Sequence, residues 1–364
     1  MNSLRPLIGL CLLIAFAWSW SSARAADAYA VTLPVDVSAA SAAAAREQAL
    51  ADGRVAAFRV LMERMTLAED WPRLPEVLPE ELPSFLRDIS VANEKTSEVR
   101  YLADLTVRYR AEDIRDLLRA YDIPFAETFS KPVMVLPVYG AGTNFILWDE
   151  PNPWREAWQR LPASSGLVPL AHPIGDLQDM TMVDVNQARD GSLEPIGRMA
   201  QRYGTDDVLV PSAEVALDPT GQRYQATISV KRFGPATWMS KSFTEIGESE
   251  PGESEARFLD RLVTQVAARV EDEWKRDNLL RFDSMGVVAV TVPVNALPEW
   301  LAIRKSLGNV AVISQVDVVL LVRDEVRLNL HHIGDIDQLA LALAQADLTL
   351  SLDGDQWRLS RAAR

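Results

Sequence analysis

Lys131–Leu161 reads KPVMVLPVYGAGTNFILWDEPNPWREAWQRL. It opens on a continuous apolar run, Val133-Met134-Val135-Leu136, the composition of a strand covered on both faces. Pro137 cannot donate to a ladder and limits pairing at the end of that run. Asn152 before Pro153 has the form of a helix start, with an amide side chain to cap and a ring pre-set for the first helical position. The helix that follows carries Trp154, Trp158 and Leu161 on one face. A doubly covered strand running into a one-faced helix predicts an α/β arrangement of layers.

The same logic extends downstream. Val168-Pro-Leu-Ala is a short strand, and Leu193 to Tyr203 a helix stopped by Gly204. Asp207 to Leu217, Tyr224 to Phe233 and Thr237 to Ile246 read as consecutive strands, the first two joined by a turn at Asp218-Pro-Thr-Gly-Gln222. An acidic loop, Glu245 to Glu255, leads to a helix with Leu259, Val263, Val266, Val270 and Trp274 as its stripe. Lys275 and Arg276 in its last turn complement the helix dipole. From Gly286 the order is strand, helix, two strands, helix and a hairpin turning at Asp353-Gly354, which predicts a ferredoxin-like βαββαβ sandwich.

Upstream, Tyr29 to Val37 is a strand, and Ser38 is a candidate cap for an alanine-rich helix to about Met65. Small residues on one side of it, Ala49, Gly53 and Ala57 among them, permit close approach to a sheet. Pro72, Pro75, Pro79 and Pro83 break any long helix. Val99, Tyr101, Ala103, Leu105, Val107 and Tyr109 alternate with polar residues as a half-buried antiparallel strand, followed by a short helix from Glu112 to Tyr121. The whole predicts a mixed α/β (α+β) protein of three small units of two or three layers: 26–128, 129–281 and a ferredoxin-like 282–364.

Residues 1–25 read as a secretory leader. Arg5 precedes an apolar run from Leu7 to Trp20, and Ala23-Arg24-Ala25 suits signal peptidase. The run is short for a membrane span, so cleavage near Ala25 and a periplasmic location without a membrane span are expected. The single cysteine, Cys11, lies inside that run, so the mature chain lacks disulfides, thiolate metal sites and cysteine nucleophiles. Net charge is −14, and loss of Arg5 and Arg24 takes it to −16. Such a balance argues against nucleic acid, whose binding needs Lys and Arg at phosphates.

No catalytic motif is complete. Gly140-Ala-Gly142 follows a strand, but Phe145 stands where a dinucleotide fingerprint needs its third glycine, and no Gly-Lys-Ser/Thr follows. His331 and His332 are adjacent on a strand and face opposite ways, so they could hardly share a metal; His332 has the register of a core residue. His172 near Asp176 lacks a Gly-x-Ser-x-Gly elbow to serve. The carboxylate pairs Asp149-Glu150 and Asp206-Asp207 are what any acidic chain contains, and a glycosidase needs a separation that sequence neighbours cannot establish. No catalytic residue, metal or cofactor is therefore assigned. One cluster suits stacking on a carbohydrate or peptide: Tyr139, Trp148, Asp149, Asn152, Trp154 and Trp158. Trp154 and Trp158, four apart on a helix capped by Asn152, equally suit a core, and both readings stay open here.

Several motifs together resemble the family of exported bacterial proteins named as domain of unknown function 2066. They are Tyr29-x-Val-x-x-Pro-Val-Asp-Val, Ala45-Arg-Glu-Gln-Ala-Leu, Glu94-Lys-x-Ser with Arg100-Tyr101, Pro132-Val-Met-Val-Leu-Pro137 and Leu147-Trp-x-x-x-Asn-Pro-Trp154. Leu297-Pro-Glu-Trp-Leu and His332-Ile-Gly-Asp335 look like the usual tail of these proteins. The resemblance implies no catalytic residues. The element order of the central unit is similar to the small α/β domain at the N-terminus of the translocation protein TolB and in envelope assembly lipoproteins. The expected function is non-enzymatic binding or scaffolding of an envelope or periplasmic protein partner. The alternative is a periplasmic hydrolase or carbohydrate- or peptide-binding protein with its site near Trp148–Trp158.

Overall fold

The computed structural model describes residues 27–142, 144–162, 165–234, 242–280, 285–308, 310 and 312–362. The predicted leader, including Cys11 and the Ala23-Arg24-Ala25 motif, lies outside the described residues. The protein is a mixed α+β structure with three sheets, each made from one continuous part of the chain.

The first sheet has the order β1 (Ala30–Ser38), β3 (Arg100–Tyr109), β2 (Leu86–Thr96), all antiparallel. β3 alternates as its sequence predicts, with Tyr101, Ala103, Leu105, Val107 and Tyr109 buried. Helix α1 (Ala42–Met65) lies across it, capped by Ser41 rather than by Ser38. Gly53 is where helix and sheet come closest; a Cβ there would stand 2.6 Å from Leu105 Cδ2. α2 (Ala111–Ala120) buries Ile114 and Leu118.

The central sheet is a three-layer sandwich. β4 (Val133–Val135) lies between β7 (Leu170–Ala171) and β8 (Asp207–Leu217), parallel to both. Its residues feed two cores: Val133 and Val135 face one, Met134 and Leu136 the other. This is the double coverage that the apolar run requires. Pro137 interrupts the ladder, which resumes as β5 (Val138–Ala141), also parallel to β8 and turned back on β6 (Asn144–Ile146). β9 (Tyr224–Phe233) and β10 (Phe243–Glu248) extend the sheet antiparallel. The strand expected from Thr237 begins at Phe243 among the described residues; 237–241 lie outside them. On one face sit α3 (Pro153–Arg160) and α7 (Glu255–Asp277); on the other, α4 (Leu177–Met182), α5 (Val185–Asp190) and α6 (Leu193–Arg202).

The third sheet departs from the ferredoxin-like strand order in one respect. Its order is β12 (Ile313–Leu321), β13 (Glu325–Ile333), β11 (Met285–Pro293), β15 (Gln356–Arg361), β14 (Leu348–Asp353). In a plain βαββαβ unit β14 would lie beside β11. Here β15 is inserted between them and runs parallel to β11. The insertion covers Leu359, fully buried on β15, and leaves β14 at the edge. α8 (Leu297–Leu307) and α9 (Ile336–Gln345) cover one face through Trp300, Ile303, Leu339 and Leu343.

Candidate functional site

The tryptophan cluster closes a core. Asn152 is fully buried; its Oδ1 accepts from Arg155 N at 2.9 Å as the N-cap of α3, and its Nδ2 donates to Leu147 O at 3.1 Å. Trp154 donates Nε1–H to Pro211 O at 2.9 Å and meets Trp158 edge-to-face, with centroids 5.9 Å apart. Both rings are fully buried. Trp148 is buried in the opposite layer, with Nε1–H on Val183 O at 2.7 Å and Arg155 over its ring. Between Trp148, Arg155, Trp158 and His172 a void of about 10 Å³ remains, room for no more than one water. The stacking-site reading of Trp148, Asn152, Trp154 and Trp158 is therefore corrected: no ring face is open to a sugar or peptide. Of the six residues singled out, only Asp149 is exposed. Tyr139 is half-buried and donates to Glu255 Oε1 at 2.7 Å, which together with burial pushes its hydroxyl pKa up.

The histidines also belong to the scaffold. His332 is buried as its register predicts, with Gly286 against its ring. His331 lies 2.9 Å from Asp317, on the sheet face away from the helices. Burial pushes the His172 pKa down, and no hydrogen bond joins it to Asp176, which instead binds Arg202. Among the described residues no group of three or more His, Cys, Asp or Glu side chains is placed to hold a metal.

The more open chemistry lies where the first sheet's helix meets the central unit. The C-terminal half of α1, the short turn Ala68–Arg73, residues 161–162 and 165–170, and α7 enclose a cleft of about 360 Å³. The charged groups set into it are already occupied. Glu271 accepts from Leu167 N and Val168 N, both at 3.0 Å, which leaves room only for glycine at 166. Arg64 is buried and donates to the carbonyls of Ala28 (2.8 Å), Ala30 (2.7 Å) and Ser165; burial pushes its pKa down to about 10. Lys275 is also buried, and its Nζ donates to Glu63 O (2.9 Å) and Thr66 O (2.8 Å), with its pKa lowered by burial. Those carbonyls belong to the end of α1, so Lys275 complements the dipole of a different helix from the one that carries it. The opening is mainly apolar, with Val60, Leu161, Pro162, Leu170, Ala268 and Trp71, the last 42% exposed, beside Glu63, Ser165 and Thr264.

Sequence reasoning passed over Arg64, Glu271 and Trp71, and assigned Lys275 to the dipole of its own helix. Arg64 and Lys275 look like surface cations until the buried helix faces are known, and Trp71 sits in a proline-broken stretch without periodicity. The only available signal was a lone tryptophan in a segment otherwise rich in Pro and Glu.

A second groove, about 610 Å³, separates the first unit from the third. Its wall is a Tyr29–Glu127–Arg115 cluster in which Arg115 holds the buried carboxylate through both Nε (2.9 Å) and Nη2 (2.7 Å). Lys131 links the central and third units through Asp206 (3.4 Å) and Asp347 (2.9 Å).

No family model and no curated protein matches the chain. Among the solved structures similar to part of it are a lipoprotein and a C-terminal domain. The lipoprotein GNA1162 from Neisseria meningitidis is 15% identical, over 38% of this chain and 95% of that one, with a TM-score of 0.26. The LpoB C-terminal domain from Salmonella enterica is 13% identical, over 38% of this chain and 92% of that one, with a TM-score of 0.21. Likeness of this strength assigns no function.

Proposed function

We propose that this is a non-enzymatic, exported envelope protein of the kind its motifs resemble, and that it binds a protein partner by taking an apolar side chain into the cleft between α1 and α7. One observation supports the reading above others: Arg64, Glu271 and Lys275, the charged groups set into the cleft, are each bonded to backbone groups, while Trp71 and the aliphatic walls stay open. Partly exposed tryptophans beside a pocket are the residues that most often dominate binding energy at protein interfaces. A periplasmic location fits the leader motif, and among the described residues no helix is long and apolar enough to cross a membrane. The hydrolase and carbohydrate alternative loses its support with the burial of Trp154, Trp158 and Asn152.

The test is photo-crosslinking in living cells from a benzoyl-phenylalanine placed at Trp71, with Val287 on the open face of the third sheet as the control position. The expected result is one partner captured from position 71 and lost when Ala268→Arg fills the cleft with the fold intact. Equal capture from Val287, or capture that survives Ala268→Arg, overturns the proposal.

A further inference from the structure

The α1/α7 cleft has a charge pattern as well as a shape, and its cations and carboxylates are placed differently. Arg64 and Lys275 are 7% and 4% exposed and direct their donors to backbone carbonyls inside the protein. Glu271 is taken up by the amides of Leu167 and Val168. Two further carboxylates of the lining keep acceptors unspent. Asp272 accepts no hydrogen bond among the described residues: the cation paired with it is Lys275, whose Nζ stands 3.6 Å from Oδ1, and its side chain is 18% exposed. Glu63, at the opening, is 30% exposed and accepts from Arg59 Nε at Oε1, while its Oε2 is unbonded among the described residues. Arg59 itself is 81% exposed, and a pair so open to water is weak and readily exchanged. Lys275 shows what the place favours: an ammonium group held at the carbonyl end of α1 with a carboxylate beside it.

We propose that the partner of this cleft is a protein segment in which an apolar side chain stands next to an Arg or Lys: the apolar group enters between Trp71, Leu161 and Ala268, and the cation sits at Asp272 and Glu63. This rests on the cleft-binding reading above and adds the chemistry of what is bound. The charge of the neighbour follows from what each alternative does to Asp272. Any partner that covers the cleft takes water from that carboxylate. A neutral neighbour leaves it desolvated with no hydrogen bond, at a cost that burial of a charge always carries. An acidic neighbour adds a like charge at the opening of a chain whose net charge is already −14, and such contacts oppose association. A cationic neighbour supplies the missing donor to Asp272 and replaces the exposed Arg59 at Glu63. Arg suits the place better than Lys, because a guanidinium offers five donors to two carboxylates and can lie against an exposed indole such as Trp71.

The probes are blocked dipeptides, acetyl-(4-fluorophenylalanyl)-Arg-amide and its Gln and Glu counterparts, titrated against the full chain and followed by fluorine NMR. The Arg probe is expected to bind about tenfold more tightly than the Glu probe, with the Gln probe between them. Raising the salt to about 0.5 M should narrow that spread, because the charges meet at a wet opening. Asp272→Asn and Glu63→Gln should each reduce the preference and together remove it, while the uncharged Gln probe binds these variants as it binds the parent. Glu63→Gln is at an exposed position, so it keeps the test intact if Asp272→Asn unsettles Lys275; circular dichroism melting checks both. Ala268→Phe fills the cleft without changing its charge and should abolish binding of all three probes. Equal affinity for the Arg and Glu probes, or a preference unchanged in the double variant, overturns the proposed charge selectivity and leaves the cleft reading standing. Binding of no probe, or binding that survives Ala268→Phe, overturns the cleft reading and this inference with it.

Discussion

Asp207 and Arg232 offer the sharpest test of how this fold handles buried charge. The pair links β8 to β9, with Nη2 on Oδ2 at 2.9 Å and Nε on both carboxylate oxygens at 3.1 and 3.2 Å; the side chains are 4% and 6% exposed. Burial outweighs the attraction of Arg232 and pushes the Asp207 pKa from 3.8 up to about 6, and burial likewise lowers that of Arg232. The folded carboxyl thus holds a proton that the unfolded one has released between pH 3.8 and about 6. Its contribution to stability is greatest below that window and falls as pH rises through it. Arg232→Met leaves the carboxylate buried beside Asp206 and should cost about 3–5 kcal/mol at pH 7.5, the usual penalty for orphaning a buried charge. At pH 5 the carboxyl can take up a proton, and much of that loss should disappear. Asp207→Val together with Arg232→Met should be neutral or stabilising by about 1–4 kcal/mol, because two desolvated charges are removed at once. Urea unfolding followed by tryptophan fluorescence at the two pH values decides it. If Arg232→Met costs the same at pH 5 as at pH 7.5, or the double variant loses the sum of the singles, the reasoning is wrong.

Three further outcomes are expected from the same unfolding measurement. Asn152→Ala should cost about 1–3 kcal/mol, since it removes the α3 cap and leaves Leu147 O without its buried donor. Gly53→Ala, a gain in helix propensity elsewhere, should here destabilise by about 1–3 kcal/mol because the new methyl would meet Leu105. Trp154→Phe should cost about 1–2 kcal/mol more than Trp158→Phe, because Trp154 Nε1–H is bonded to Pro211 O while Trp158 Nε1 has no protein partner among the described residues.

Much of the fold was legible because its strongest elements have a single period. β3 alternates cleanly, β4 is apolar throughout, and α7 buries Leu259, Val263, Val266, Val270 and Trp274 as its spacing requires. Where the period fails, so does the reading. β2 is a long edge strand with two register shifts and little burial, so Leu86–Thr96 carries no alternation to detect. α4 and α5 are six residues each, too short for a stripe, and are defined by Asp176 and Asp184 as caps instead. The position of β15 between β11 and β14 is decided by tertiary pairing, because either strand of that hairpin has side chains fit for the centre of a sheet.

The site was less legible for a related reason. Tryptophans read as a binding cluster because they are large and close in sequence, yet Trp154 and Trp158 share a helix face, and a shared face is what a core needs. The cleft at α1 and α7, by contrast, depends on residues between 34 and 212 positions apart. Lys275 reaches the last carbonyls of α1, Glu271 holds the amides of Leu167 and Val168, and Arg64 ties Ala28, Ala30 and Ser165. Each of these ions is desolvated and satisfied largely by backbone groups, so none can be released without leaving buried charge or orphaned carbonyls. Such contacts cost too much to open and close with each binding event. The cleft is therefore held in shape by its own contacts, and the affinity of the proposed partner would depend on what fits between Trp71, Leu161 and Ala268 rather than on ordering the walls.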